Sequence, residues 1–322
     1  MRILVYGAGP LGSLFAARLH EAGHSVALLA RGQRLAELRE HGVVLENTTT
    51  GERSSTRVLI VEALTPQDVY DLVLVIMRRN RVDAILPTLA AAREVPNVLF
   101  LMNNASGPGP FVASLGQQRV LIGFPSAGGM RDGHVIRYLA GTEKQPSSVP
   151  FGEVDGHVCE RTRQVAAGLD SMRGFRAEIR TDMDAWHKTH VALLMPSLVP
   201  ALYAAGCDNR ELARRPDLLV LMVRAVREGF AVLRALGIPI TPPRIRRLAA
   251  IPTPLLLALL QKALPKDAMR VALVGHALAA PDELRYLADE FIALARTTQV
   301  PIPAIERLYP HFDLVPPAGS RG

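Results

Sequence analysis

Residues 1–31, MRILVYGAGPLGSLFAARLHEAGHSVALLAR, constrain the fold more than any other stretch of the chain. A short apolar run, Ile3-Leu4-Val5-Tyr6, meets Gly7-Ala8-Gly9-Pro10-Leu11-Gly12, and a helical pattern follows until Gly23 stops it. A G-x-G-x-x-G match carries meaning only between a strand and a helix, and here both are present. Gly7 permits the tight turn, Gly9 lets a pyrophosphate approach the backbone, and Gly12 lets the helix pack closely on the strand, with the phosphates over the helix N-terminus. Ala8, Pro10 and Leu11 complete the loop as cofactor-contacting positions. A second apolar strand over residues 26–30 ends at Arg31, where a NAD site usually carries an acid for the ribose 2′-hydroxyl. A cation suits a 2′-phosphate instead, so the sequence points to NADP(H).

The remaining pattern continues this beginning. A short helix over 33–40 and a strand over 43–45 are predicted, then a polar turn over 47–56 and a strand over 58–61. Residues 71–77, DLVLVIM, and 98–102 are apolar almost throughout, as strands covered on both faces are. A helix over 83–93 separates them. Alternating strands and helices specify an α/β fold with a Rossmann-type, doubly wound sheet. Glycine-rich β segments at 121–124, 134–139 and 151–156 follow, then a helix over 160–170 and a last strand over 177–179. From Asp182, a plausible N-cap, the pattern is helical, so the chain divides into an NADP-binding domain over 1–180 and an all-α catalytic domain over 181–322.

Both central strands run into polar residues, Arg78-Arg79-Asn80 and Asn103-Asn104. Ligands of open parallel sheets sit outside the carboxyl ends of the strands, so Arg78 and Asn103 are candidates to touch both nicotinamide and substrate. In the helical half, Lys188 heads a stripe formed by Ala192, Met195, Val199 and Leu202. A desolvated lysine is biased toward the neutral amine and eases proton transfer near neutral pH. Glu283 heads a similar stripe with Leu287, Phe291 and Leu294 in a helix running from Pro281 to about Thr297. His190 and His276 are reserve candidates for proton transfer. A long helix over 218–236 stops at Gly237, and the apolar helix over 255–264 reads as core.

Composition narrows the function. The chain has 322 residues and a net charge of +7, carried almost wholly by arginines, since the lysines are Lys144, Lys188, Lys262 and Lys266 alone. The arginines are dispersed without the continuous basic track that nucleic acid needs, so an anionic cofactor and an anionic substrate account for the charge. Cys159 and Cys207 lack metal-ligand spacing, so no metal site is expected. Neither a signal peptide nor a membrane span is readable, because the longest apolar run, 191–205, contains Pro196 and Pro200. A cytoplasmic protein follows. The tail, 316–322, is expected to be disordered.

Taken in order, GAGPLG, Ala30-Arg31-Gly32, Asn103, FGEVDG near residue 151, Trp186-His187-Lys188 and Asp282-Glu283 before VPIPAIERLY resemble the ketopantoate reductase (2-dehydropantoate 2-reductase) family. The resemblance implies an NADPH-dependent reductase of a 2-oxo acid. Lys188 would protonate the carbonyl oxygen, Glu283 would hold the substrate hydroxyl, and Asn103 would position substrate and nicotinamide. Three positions depart from the family pattern. A lysine is replaced by Arg78, which can grip a carboxylate in bidentate fashion. An asparagine one turn after the catalytic lysine falls on Ala192, and a substrate-holding serine falls near Val271, leaving His276 as the polar group nearby. The expected partner is a small 2-oxo acid, neither nucleic acid nor membrane, and a homodimer stays open. A second function, a non-catalytic NADP(H)-binding regulatory protein, would not need both Lys188 and Glu283.

Overall fold

The computed structural model describes residues 1–314, apart from the side chains of residues 268, 271 and 272, so the tail expected to be disordered lies outside the described residues. Contacts divide the chain into two units, Met1–Met102 with Pro108–Met183, and Asn103–Gly107 with Asp184 onward.

The first unit runs β1 (Arg2–Tyr6), α1 (Pro10–Glu21), β2 (Ser25–Leu29), α2 (Gly32–His41), β3 (Val43–Asn47), β4 (Arg53–Thr56), β5 (Leu59–Val61) and β6 (Leu72–Val75). It continues with α3 (Leu86–Ala91), β7 (Val98–Leu101), α4 (Gly109–Leu115), β8 (Val120–Gly123), β9 (Gly128–Asp132), β10 (Val135–Leu139), β11 (Ser147–Glu153), α5 (Glu160–Asp170) and β12 (Phe175–Ile179). Eight strands form one sheet in the order β12-β11-β8-β7-β6-β1-β2-β5. The six strands from β8 to β5 are parallel, and β11 joins β8 antiparallel. Ile3, Leu4 and Val5 of β1 and Val73 to Val75 of β6 are fully buried, the doubly covered state that their unbroken apolar sequence required. The expected doubly wound sheet is present.

Several elements differ from the sequence expectation. The polar stretch 47–56 is not all turn: residues 53–56 form β4, antiparallel to β3 from Val43↔Thr56 to Glu46↔Arg53. Ladder hydrogen bonds make a strand of RSST without apolar alternation, while Asn47 Oδ1 accepts from the amides of Thr49 and Thr50 to shape the turn. β4, β3, β10 and β9 form a second, four-stranded sheet, and β9, with four of its five residues exposed, had no burial pattern to announce it. The helix expected over 83–93 is broken. Two 3-10 turns, Arg79–Arg81 and Asp83–Ile85, precede α3, because Pro87 lacks the N–H that a continuous helix would need and fits the first turn of a new one. α4, opening Gly109-Pro110, was not anticipated.

Apart from the loop Asn103–Gly107, the described elements of the second unit are helices: α6 (Met183–Leu193), α7 (Val199–Ala204), α8 (Asn209–Ala213), α9 (Pro216–Ala235), α10 (Pro243–Ala249), α11 (Thr253–Ala263), α12 (Asp267–Met269), α13 (Gly275–Ala279), α14 (Pro281–Ala295) and α15 (Pro303–Leu308). A wider π turn, Leu194–Leu198, joins α6 to α7. α9 opens on Pro216, and Gly237 just beyond its end has φ +71°. Leu219, Val232 and Leu233 of α9 pack in one core with Leu287 and Phe291 of α14 and Ile305 of α15. α11 corrects the reading of 255–264 as core. Leu256 is buried, but Leu255 and Leu259 are 56% and 45% exposed, since an apolar run does not specify which face meets the core. Among the described residues no helix is long and apolar enough to cross a membrane.

Candidate active site

In the first unit the functional geometry begins where β1 ends. β1 pairs in parallel with β2 on one side and β6 on the other, with Tyr6 opposite both Leu29 and Val75. The chain therefore leaves β1 where the strand order reverses, the place at which such sheets bind ligands. Gly7 has φ +124°, and a Cβ on it would lie 2.4 Å from the Ile76 carbonyl oxygen. A Cβ on Gly12 would lie 1.8 Å from the Gly7 carbonyl oxygen, so α1 starts directly against the turn. Gly9 is different: a Cβ there would meet no atom within 4 Å. Backbone closes two sides of this loop and its Gly9 side is open. Gly9 caps the 12-residue α1 without a side-chain cap, Pro10 stands at the first helical positions, and the first turn carries no acid. A pyrophosphate fits such a cradle, where uncapped amides and the positive end of the helix dipole point toward it.

Arg31 stands at the end of β2 as the N-cap of α2, exposed, its Nε donating to the Glu62 carbonyl oxygen at 3.1 Å. Its terminal nitrogens bond to nothing among the described residues, and the Glu62 carboxylate is held by Arg39 at 2.7 Å. Arg34, one turn further along α2, was not singled out from the sequence. It is buried, donates from Nε to the Ala8 carbonyl oxygen at 3.2 Å and from Nη2 to Ser13 Oγ at 3.2 Å, and pairs with Glu37. Desolvation lowers its guanidinium below the ordinary arginine range, with Glu37 pulling the other way. Arg34 thus braces the glycine loop from α2. Its only sequence signal was the helical spacing from Arg31. After β6, Arg78 is half-buried, whereas Arg79 is 2% exposed, lies over the Phe111 ring at 5.4 Å and donates to Asp83 at 3.0 Å.

In the second unit the site is organised around α6. Lys188 is buried, and the stripe beneath it, Ala192, Met195, Val199 and Leu202, is buried too. Its ammonium is not alone among apolar groups, because Nζ donates to Asp184 Oδ2 one turn earlier. The loop Asn103–Gly107 belongs to this unit, and a Cβ on Gly107 (φ +85°) would lie 3.2 Å from both Lys188 Nζ and Asp184 Oδ1. Asn104 Oδ1 accepts from the Gly107 amide at 3.2 Å, while Glu290 of α14 accepts from the Ala105 amide and the Ser106 hydroxyl. The loop is pinned from both sides. Asn103 Oδ1, Asn104 Nδ2 and Asp184 Oδ1 are buried and have no hydrogen-bond partner among the described residues.

Glu283, 5% exposed in the first turn of α14, faces His276 of α13, with Nε2 to Oε2 at 3.4 Å. His276 also acts electrostatically on His190, as does His187, so α13 and the Lys188 helix share one polar neighbourhood. Desolvation, reinforced by these two imidazoles, pushes His190 down to about 3. His190 stacks on Trp186 with centroids 5.0 Å apart and stays neutral at physiological pH, which removes it as a general acid there. Of the residues singled out from the sequence, Lys188 and Asn103 thus lie about one loop, and His276 and Glu283 form a pair. Asp184, Asn104 and Gly107 were missed, although Asp184 stands at the i,i+4 spacing from Lys188. Among the described residues no cluster of three or more His, Cys, Asp or Glu could hold a metal ion.

The model of the family described as Ketopantoate reductase PanE/ApbA matches residues 3–155, and that of its C-terminal domain matches residues 181–315. The chain belongs to the ketopantoate reductase family. It is 27% identical over 240 residues to a 2-dehydropantoate 2-reductase of Archaeoglobus fulgidus, covering 73% of this chain and 75% of that protein. The structure of a 2-dehydropantoate 2-reductase from Methylococcus capsulatus aligns over 98% of this chain and 96% of its own, with a TM-score of 0.72 and 20% identity. A D-mandelate dehydrogenase solved with NADH and anilino(oxo)acetate aligns over 97% of both chains, with a TM-score of 0.76 and 15% identity. Of the positions expected to depart from the family pattern, Ala192 is fully buried, and the side chain of Val271 lies outside the described residues.

Proposed function

We propose that the chain reduces a 2-oxo acid with NADPH, with ketopantoate, the 2-dehydropantoate of the relatives' names, as leading substrate. The observation that carries this reading is the buried Lys188 ammonium beside a loop whose Asn103 and Asn104 amides keep buried polar atoms without a partner among the described residues. Each such atom costs about 1–3 kcal/mol unless a ligand satisfies it. A 2-oxo acid offers acceptors to the Asn104 amide and to Lys188, and the carboxamide of a bound nicotinamide would offer a donor to Asn103 Oδ1.

The glycine loop, Arg34 and Arg31 would hold the dinucleotide, with Arg31 facing the 2′-phosphate through nitrogens that have no partner among the described residues. Bound reduced nicotinamide supplies the hydride. Hydride addition to a ketone leaves an alkoxide, and the Lys188 ammonium stabilises that charge and gives its proton to the oxygen. Glu283, oriented by His276, would accept a hydrogen bond from the substrate hydroxyl. Arg78 would contribute a charge-assisted grip on a carboxylate or phosphate.

NADPH oxidation followed at 340 nm with ketopantoate, then with branched and aromatic 2-oxo acids, tests the reading. Lys188→Ala should reduce kcat by about 100-fold or more, the scale of one lost general acid, while NADPH binding stays near its parent value. Undiminished turnover in that variant removes Lys188 from the mechanism. NADPH binding with no turnover of any 2-oxo acid favours the regulatory protein.

A further inference from the structure

Asp184 has no role in the reading above, yet it is the side chain bonded to the ammonium on which that reading rests. An i,i+4 Asp–Lys pair on a helix surface is common and contributes little. This one differs in its burial. The Lys188 side chain is 10% exposed and the Asp184 side chain 38%, so the pair reaches from the interior to solvent. One oxygen, Oδ2, takes the hydrogen bond from Nζ, and the other, Oδ1, is buried without a partner among the described residues. Both Oδ1 and Nζ lie at the bare backbone of Gly107, where any side chain would stand 3.2 Å from each.

A buried amine that gives up a proton in each turnover must regain one, and Asp184 is bonded to it and reaches water. Resting on the reductase reading, we infer that Asp184 is a positioning residue that holds the Lys188 ammonium and returns its proton after each reduction. The balance is simple. Hydride goes to the carbonyl carbon and a proton from Lys188 Nζ to the oxygen, leaving a neutral amine. Asp184 takes a proton from water at its carboxylate and passes it to Nζ, which restores the ammonium and the carboxylate. The net consumption is one solvent proton per substrate.

Asp184→Asn keeps the size and one acceptor but carries no proton, and Asp184→Glu keeps the proton carrier. Steady-state kcat should fall about tenfold or more in Asp184→Asn, and KM for the 2-oxo acid should fall in parallel, so that kcat/KM changes less than about threefold. The rate of a single turnover should fall less than about threefold, giving a burst of NADPH oxidation of about one equivalent per site. Asp184→Glu should recover most of the steady-state rate. An unchanged kcat, or equal losses in the single-turnover and steady-state rates, overturns the proton-return role. A second measurement needs neither cofactor nor substrate. With four lysines in the chain, the acetylation of each by acetic anhydride can be read by peptide mass spectrometry. Lys188, relative to Lys144, should react faster in Asp184→Asn than in the parent, because the amine is no longer held in its hydrogen bond to the Asp184 carboxylate. Equal relative reactivity overturns the inference. Faster acetylation in a protein that turns over no 2-oxo acid upholds the pairing and refutes the reductase reading instead.

Discussion

The packing of His190 makes stability depend on pH in a way that one substitution should abolish. Its imidazole titrates at about 3 in the folded protein, against an ordinary value of 6.5. The folded value lies below the unfolded one, so between pH 6.5 and 3 the unfolded chain binds a proton that the native state refuses. Stability is therefore complete above 6.5 and is lost as the pH falls through this window. Evaluating the linkage between these two values gives a loss of about 2 kcal/mol on going from pH 7 to pH 5. Over a unit of this size that corresponds to roughly 4–8 °C in Tm. His190→Phe keeps an aromatic ring against Trp186, on which His190 now stacks at 5.0 Å, and removes the titration. Other groups also titrate between pH 5 and 7, so the quantity to compare is the pH-induced change in Tm, parent against variant, by circular dichroism. The parent should lose roughly 4–8 °C more than His190→Phe. Equal losses in the two proteins would refute the assignment of a neutral, desolvated His190.

Two further substitutions test the dinucleotide cradle. Gly12→Ala places a Cβ 1.8 Å from the Gly7 carbonyl oxygen, and because the neighbour is backbone it cannot swing aside. Overpacking at this distance should cost about 3 kcal/mol or more and abolish cofactor binding, as read by thermal unfolding and NADPH fluorescence titration. Arg31→Glu should weaken NADPH by about 10–100-fold, the loss of a charge-assisted contact, and leave NADH nearly unchanged. Equal effects on the two cofactors would show that Arg31 does not face the 2′-phosphate.

What was legible in the sequence was what local chemistry decides. Gly7 and Gly12 each stand where an added Cβ would meet backbone and Gly9 leaves the loop open, so their spacing alone specified both the loop and the sheet position that carries it. The stripes headed by Lys188 and Glu283 were equally plain, because helical periodicity puts their apolar partners on one face. Features that depend on remote partners were not legible. β4 is polar and β9 almost wholly exposed, so their place in a sheet is decided by the ladder bonds of β3 and β10. α11 shows the limit from the other side: its leucines satisfy every local preference for a core helix, and two of them face outward. Asn103 was placed correctly at a strand end, but no local signal says that residues 103–107 pack with a unit beginning 80 residues later, or that Glu290 holds them.

The alanine at 192, where the resemblance led us to expect an asparagine, fits the same packing. Ala192 is fully buried beneath Lys188, and a Cβ on Gly229 of α9 would come within 3.3 Å of the Ala192 Cβ and 3.5 Å of Phe291 Cζ. α9 approaches α6 as closely as the absence of a side chain at Gly229 allows. An amide at 192 would enter an apolar contact already closed on it, where its polar atoms would go unpaired at about 1–3 kcal/mol each. Small residues at 192 and 229 therefore belong together: they exchange a polar contact for a tight helix interface. In our reading the duty of holding substrate then rests on groups that this interface leaves in place, the Asn103 and Asn104 amides and the His276–Glu283 pair.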